Sequence, residues 1–158
     1  MRRKDREITA MDSILEIIDK AKILHLGLFD EGCPYIVPLH FGYEFSDGKL
    51  FFYLHSAKEG HKLDLMKKNP NVCIELECDV EPISGGEIPC RYGCSYGSVI
   101  GKGKAQILSD ESERIKGLEL LMKNQTGRNF KIDATMAESV EVVKIFISEL
   151  SAKSRAKA

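Results

Sequence analysis

The chain has 158 residues, 43% of them hydrophobic and 30% charged, which is the composition of an ordinary globular protein with room for one real core. Its formal net charge of −1 excludes the strongly basic surface typical of nucleic-acid-binding proteins. No apolar run approaches the roughly 20 residues that cross a bilayer, and the charged N-terminus has no signal-peptide core, so we expect a cytoplasmic protein.

The first 55 residues predict a helix followed by three strands. Apolar residues recur at helical spacing from Ile14 to Ala21, and Thr9 with Asp12 is typical of a capping box at the start of that helix. The pattern then alternates as in strands. The predicted strands are 24–28, 35–45 and 49–55, separated by turns at 30–32 and 46–48. Pro38 cannot donate to a ladder and marks an edge or a bulge.

The remaining residues predict three more strands and further helices. A short helix at 60–68 ends at Asn69-Pro70 and leads to a strand at 72–77. Residues 79–95, with two prolines and two cysteines, predict a long loop. A fifth strand at 96–108, a helix capped by Asp110, a brief helix near 134–139 and a last strand at 142–147 follow.

Six short strands joined mostly by hairpins predict a single mainly β domain with antiparallel pairing and peripheral helices, a barrel or an α+β fold. We expect residues 1–8 and 152–158 to be flexible tails. The odd number of cysteines argues against a disulfide framework, and their spacing predicts no metal site. These cysteines are Cys33, Cys73, Cys78, Cys90 and Cys94.

Residues 55–62 (HSAKEGHK) form the segment with the most chemistry. They carry a hydroxyl, two imidazoles and two ammonium groups between the end of a strand and the start of a helix. Together with the amide groups and positive dipole end of a helix N-terminus, these groups are suited to a phosphate dianion. The alternative interpretation is an ordinary solvated loop.

Residues 35–43 (YIVPLHFGY) form a second candidate segment. A strand interrupted by proline leaves unpaired carbonyl and amide groups, which could bond the edge of a planar ring system. The alternative is an edge strand with its aromatic side chains in the core.

Three segments in the same order resemble those of flavin-binding proteins related to pyridoxamine 5'-phosphate oxidase, in particular the nitroimidazole-resistance branch. They are residues 34–43 (PYIVPLHFGY), residues 52–63 (FYLHSAKEGHKL) and residues 96–105 (YGSVIGKGKA). Residues 69–73 also have a counterpart, and the resemblance covers the chain from about Arg3 to Ser154.

The resemblance implies a six-stranded Greek-key split β-barrel that binds FMN at the interface of a homodimer. It implies that Ser56, His61 and Lys62 hold the FMN phosphate and that Ser98 reaches the flavin. It also implies that Tyr53 and His55 lie beside the ring or ribityl chain. The strand along the isoalloxazine edge would consist of Ile36, Val37, Pro38, Leu39, His40 and Phe41.

Several positions depart from the pattern of these relatives. His61 stands where many carry arginine, which predicts weaker or pH-dependent phosphate binding. His40 replaces an asparagine, and Gly97 replaces a residue that is often arginine. The arginine and histidine pattern that the true oxidase uses for pyridoxamine phosphate is missing near the C-terminus, which argues against that substrate.

The resemblance favours an FMN-dependent oxidoreductase with nitroreductase-like chemistry and a small-molecule electron donor and acceptor. His40 and His55 are the candidate proton-transfer residues, because the unperturbed imidazole pKa lies near neutrality. Two alternatives stay open. The protein could bind or store flavin without catalysis, or it could be a haem-binding split barrel that uses His25, His40, His55 or His61.

Overall fold

The computed structural model describes residues 3–156, in which one antiparallel sheet is surrounded by helices. The strands are β1 (Glu7–Ile8), β2 (Leu24–Asp30), β3 (Cys33–Leu39), β4 (Phe41–Ser46), β5 (Lys49–Ser56), β6 (Asn71–Ile83), β7 (Gly93–Ile107) and β8 (Glu141–Arg155). The helices are α1 (Met11–Lys20), α2 (His61–Lys68), α3 (Glu111–Thr126) and α4 (Ala134–Glu138). The predicted mainly β fold is confirmed, with eight strands in place of six.

The sheet runs in the order β3-β2-β6-β7-β8-β5-β4, with β1 added on β8. Every pairing is antiparallel. The two strands at the ends of this order, β3 and β4, follow one another in the chain and are separated by His40 alone. The sheet therefore curls. Its two edge strands, β3 and β4, are consecutive in the chain but do not pair with each other.

The core lies on the concave side of this sheet and follows from the alternation in the sequence. Leu24, Leu26 and Leu28 of β2 point inward and are buried. On the opposite side, Phe52 and Leu54 of β5 join the same cluster. The helix α1 buries Ile14, Ile17 and Ile18 against it.

A second, smaller apolar cluster lies where α3 covers β4 and β5. It contains Tyr53, Leu108 and Val142. The approach is very close at Gly42, where an added Cβ would lie 2.2 Å from the backbone nitrogen of Leu121. The predicted cap of α3 is confirmed, since the Asp110 carboxylate accepts a hydrogen bond from the backbone N–H of Glu113 at 2.9 Å.

Two local predictions were wrong in the first half of the chain. The helix α1 has Ala10 at its N-cap position without a side-chain cap, so Thr9 and Asp12 form no capping box. The single strand predicted over 35–45 is two strands, because the chain leaves β3 at Leu39 and enters β4 at Phe41. Pro38 is confirmed as an edge-strand residue.

The predicted loop at 79–95 is mostly strand. β6 continues to Ile83 and β7 begins at Gly93, so that the two strands form a long hairpin with a register shift between Cys78 and Glu81. Only residues 84–92 remain as the connection.

The predicted flexible tails are also largely structured. Glu7 and Ile8 pair with Lys153 and Ala152, and β8 continues to Arg155. Residues 1, 2, 157 and 158 lie outside the described residues. No helix in the described part of the chain has the length and apolar character needed to span a membrane.

Candidate cofactor-binding site

The predicted phosphate segment joins the end of β5 to the start of α2. Gly60 occupies the N-cap position with φ +144°, a backbone conformation that favours glycine, and α2 begins at His61. No side chain of residues 3–156 caps this end of the helix. The first amides of a helix have no partner within the helix, so they remain available to an anion.

Ser56 is the last residue of β5 and is 5% exposed. Its Oγ is buried and has no hydrogen-bond partner among the described residues. A buried hydroxyl without a partner costs on the order of 1–3 kcal/mol. This unsatisfied donor fits a cofactor whose phosphate oxygen would accept from it.

Three titratable side chains, those of His40, His55 and Lys62, act on one another at the end of β5. His55 is exposed and points to the face opposite the buried side chain of Ser56. The pairing of Phe41 with Leu54 places His40 and His55 side by side at the next step of the ladder. Partial burial lowers the pKa of His55, and the neighbouring His40 and Lys62 lower this pKa further. A bound anion would act on His55 in the opposite direction and favour its protonated ring.

His61 is already paired within the chain. Its Nε2 lies 2.7 Å from a carboxylate oxygen of Asp30 at the end of β2, and Tyr35 packs edge-on against the imidazole with ring centroids 5.1 Å apart. The imidazole would have to exchange Asp30 for a phosphate. The sequence contained no sign of this pair, because 31 residues separate its members.

The strand predicted to lie along the ring edge is the sheet edge β3. Ile36 is 64% exposed and Pro38 also points outward, whereas Val37 and Leu39 pack against the core. On its other side β3 has no partner strand among the described residues. Its backbone groups there are the ones that could bond a ring.

Phe41 and Tyr53, which were predicted to lie along the cofactor, are buried inside the protein. Phe41 is fully buried, and its carbonyl accepts hydrogen bonds from the side chains of Asn124 and Gln125 of α3. Tyr53 is buried in the cluster beneath α3 and donates to Glu44 at 3.3 Å. Burial and then the Glu44 charge raise the pKa of Tyr53 to about 12, so its phenol stays protonated.

Ser98 lies far from the phosphate segment within one chain. It pairs with Lys153 near the end of β8, whereas Ser56 pairs with Glu141 at the start of β8. Twelve residues separate these two positions of β8, a strand length of roughly 40 Å at about 3.3 Å per residue. Within one chain, Ser56 and Ser98 therefore lie beside opposite ends of β8.

The outer face of β2, β3, β6 and β7 carries an apolar groove of about 800 Å³. Phe29, 65% exposed, and Ile36 line it beside Cys73. This groove was not predicted from the sequence, since these side chains occupy the strand positions that alternate with the core. Apolar residues at such outward positions were the available signal.

The antiparallel sheet, open between β3 and β4 and capped by few helices, defines a split-barrel protein. More particularly, the chain belongs to the pyridoxamine 5'-phosphate oxidase family, whose model matches residues 11–154. The family inferred from the three sequence segments is confirmed.

Several solved structures share the fold. A candidate 5-nitroimidazole antibiotic resistance protein from Bacteroides thetaiotaomicron is 30% identical with a TM-score of 0.79, over 94% of this chain and 86% of that one. The flavocytochrome Anf3 from Azotobacter vinelandii has a TM-score of 0.77 at 20% identity, over 99% of this chain and 72% of that one. At that identity the likeness shows the fold alone.

Among curated proteins, general stress protein 26 of Bacillus subtilis (strain 168) is 30% identical over 102 residues. The match covers 65% of this chain and 64% of that protein.

Proposed function

We propose that this protein binds FMN between two copies of the chain and acts as an oxidoreductase of the nitroreductase kind. The observation that carries the proposal is the buried hydroxyl of Ser56, which has no partner among the described residues, at the strand end where His40 and Lys62 act on His55. Bound FMN would supply hydride or single-electron transfer.

In this proposal Ser56, Lys62 and the first amides of α2 hold the phosphate. A phosphate close to dianionic takes strong, charge-assisted hydrogen bonds from an ammonium group. His61 contributes only when it leaves Asp30, so we assign it a smaller share of the binding.

His40 and His55 are the proposed proton-transfer residues. The lowered pKa of His55 keeps its imidazole neutral at pH 7, with one nitrogen free to accept a proton. His40 is exposed at the gap between β3 and β4, where it is accessible to a small-molecule substrate.

A homodimer is proposed on two grounds. The resemblance assigns Ser56 and Ser98 to one flavin site, yet they pair with residues at opposite ends of β8, so we propose that a second copy supplies one of them. The apolar groove with exposed Phe29 and Ile36 offers a surface for that copy to cover.

Nitroimidazoles are the substrate class that we propose for the bound flavin. The Bacteroides relative, 30% identical to this chain, is a candidate 5-nitroimidazole antibiotic resistance protein. A nitro group accepts electrons from a reduced flavin, so the chemistry of that class matches the proposed cofactor.

We also propose that the protein works in the cytoplasm. All five cysteines are free, in keeping with a reducing compartment.

The first test is an absorption spectrum of the purified protein before and after FMN is added and the excess removed. Retained flavin bands support the proposal, and reduction of the bound flavin by NADH or NADPH separates an enzyme from a flavin carrier. A protein that stays colourless and rejects FMN contradicts it. Haem bands would favour the haem-binding alternative instead.

The second test addresses the phosphate residues. Replacing Ser56 and Lys62 together by alanine is expected to weaken FMN binding by about 1.5–3 kcal/mol, because charge-assisted bonds to the phosphate are lost. Lys67→Ala, an exposed lysine in the last turn of the same helix, is the matched control and should leave the affinity unchanged. Equal affinities in the double variant and the wild type would refute the assignment.

A further inference from the structure

A separate cluster of three side chains lies on the outer face of the sheet. His25 of β2 sits directly opposite Glu75 of β6 in the strand register, and Glu77 follows two residues later on the same face. None of the three belongs to the proposed phosphate segment, and all three come from one chain.

The ligand atoms of this cluster are close together. Nδ1 of His25 lies 3.2 Å from Oε2 of Glu75 and 3.9 Å from Oε2 of Glu77. One ligand atom from each residue falls within 4.8 Å of the others.

We propose that His25, Glu75 and Glu77 form a binding site for a divalent transition metal, with Zn²⁺ as the ion that fits best. Bonds of about 2.0–2.1 Å in a tetrahedral arrangement place neighbouring ligand atoms about 3.3 Å apart. The separations of 3.2 and 3.9 Å around the imidazole nitrogen need little adjustment to reach that value. One imidazole and two carboxylates leave a fourth position open, as in catalytic zinc sites.

The charges around the cluster favour a cation. Glu75 and Glu77 lie two residues apart on the same face of β6, so their ionised carboxylates repel each other. Lys102, on the neighbouring strand β7, is paired with Glu149 at 3.1 Å. A bound metal ion would remove this repulsion.

The scaffold holds the three ligands in place before a metal arrives. The ladder between β2 and β6 fixes the Cα positions of His25 and Glu75, and the ladder between β6 and β7 fixes that of Glu77. Strands position ligands more rigidly than loops. His25 and Glu75 line the apolar groove, so the open coordination position faces that groove. Sequence spacing did not indicate the site because His25 lies 50 residues from Glu75, and only the register of the sheet joins them.

The competing interpretation is an ion pair between His25 and Glu75 without a metal. Zinc titration of the intact protein by calorimetry separates the two. We expect one saturable Zn²⁺ site per chain, weakened at least about tenfold in His25→Ala and in Glu75→Gln. Co²⁺ should bind to the same residues and give visible absorption bands of a low-coordinate nitrogen and oxygen site.

Two control variants keep the test specific. Cys73→Ser removes a thiol two residues from Glu75 on the same face, and His61→Ala removes another imidazole paired with a carboxylate. Both should bind Zn²⁺ like the wild type, and circular dichroism should show that every variant is folded. Absence of a saturable site, or binding that survives in His25→Ala or is lost in Cys73→Ser, would overturn the proposal. Because no ligand belongs to the phosphate segment, loss of FMN binding in Ser56→Ala has no bearing on this result.

Discussion

The strand β5 carries two buried hydroxyl groups, three residues apart, in opposite situations. The phenol of Tyr53 lies beneath α3 and donates to Glu44, which in turn pairs with Lys116 at 2.7 Å. The hydroxyl of Ser56 lies at the end of the strand and has no partner among the described residues. One region satisfies its polar groups within the chain, whereas the other leaves a donor unsatisfied at the strand end that leads into α2.

The two hydroxyl groups separate the part of β5 that contributes to stability from the part that is available for ligand binding. A polar network completed within the chain rigidifies the fold, while a donor left without an acceptor is stabilised only when a ligand supplies one. Substitutions in the region beneath α3 should therefore change stability, and substitutions at the end of β5 should change ligand binding.

The largest expected effect is that of Gly42→Ala beneath α3. The added methyl group would lie 2.2 Å from the backbone nitrogen of Leu121, so α3 must move away from β4. We expect the free energy of unfolding, measured by urea denaturation, to fall by about 3 kcal/mol or more. Gly32→Ala is the control, since no atom lies within 4 Å of its added Cβ. Equal stabilities of the two variants would show that the contact with α3 is not tight.

A smaller effect of opposite sign should distinguish the two hydroxyl groups. Ser56→Ala removes an unsatisfied donor and is expected to stabilise the flavin-free protein by roughly 1 kcal/mol while weakening FMN binding. Tyr53→Phe removes a satisfied hydroxyl and is expected to destabilise it by roughly 1 kcal/mol without an effect on FMN. Thermal unfolding with and without FMN measures both. A loss of stability in Ser56→Ala would mean that its hydroxyl has a structural role.

The pH dependence of the flavin-free protein should show the charge crowding at His55. Its pKa in the folded state is lowered from 6.5, so below about pH 6.5 the unfolded chain binds a proton more readily than the folded one. The free energy of unfolding should therefore fall as the pH drops through this range, and less so in His55→Gln. An NMR titration of the imidazole should also show that FMN raises the pKa, because a dianion favours the protonated ring. An unchanged pKa would place the phosphate elsewhere.

The smallest expected effect concerns the pair between Asp30 and His61. Asp30→Asn removes a negative charge beside the phosphate segment and releases His61, so we expect FMN to bind roughly two- to fivefold more tightly. Asp47→Asn, in the hairpin between β4 and β5, is a charge-matched control and should leave the affinity unchanged. Weaker FMN binding in Asp30→Asn would show that the carboxylate positions His61 for the phosphate.

Alternating apolar residues made the strands around the core predictable, as for Leu24 to Leu28. The same criterion failed where strands extend beyond the core, since Asp79 to Ile83 and Glu149 to Arg155 are held by pairing and bury little apolar surface. Alternation also did not reveal the break at His40. The pattern continues from β3, at one edge of the sheet, into β4, at the other edge.

The phosphate segment was identified from its composition and family resemblance, both of which depend on residues close in sequence. The pairs that depend on strand register were beyond reach of such reasoning. Asp30 with His61, and His25 with Glu75, each join residues 31 or more positions apart. The resemblance predicted Tyr53 beside the flavin, but it does not specify which face of β5 lies under α3, where the structure has this side chain.

The two prolines of β3 have a consequence for self-association. Pro34 and Pro38 lie opposite Phe29 and His25 of β2. Proline has no N–H to donate to the ladder, so we expect the nitrogen atoms of both prolines to face the free edge of β3. That edge then lacks two of the donors that another strand would need. Continuation of the sheet from molecule to molecule, the first step of β-aggregation, is thereby blocked at one of its two open ends.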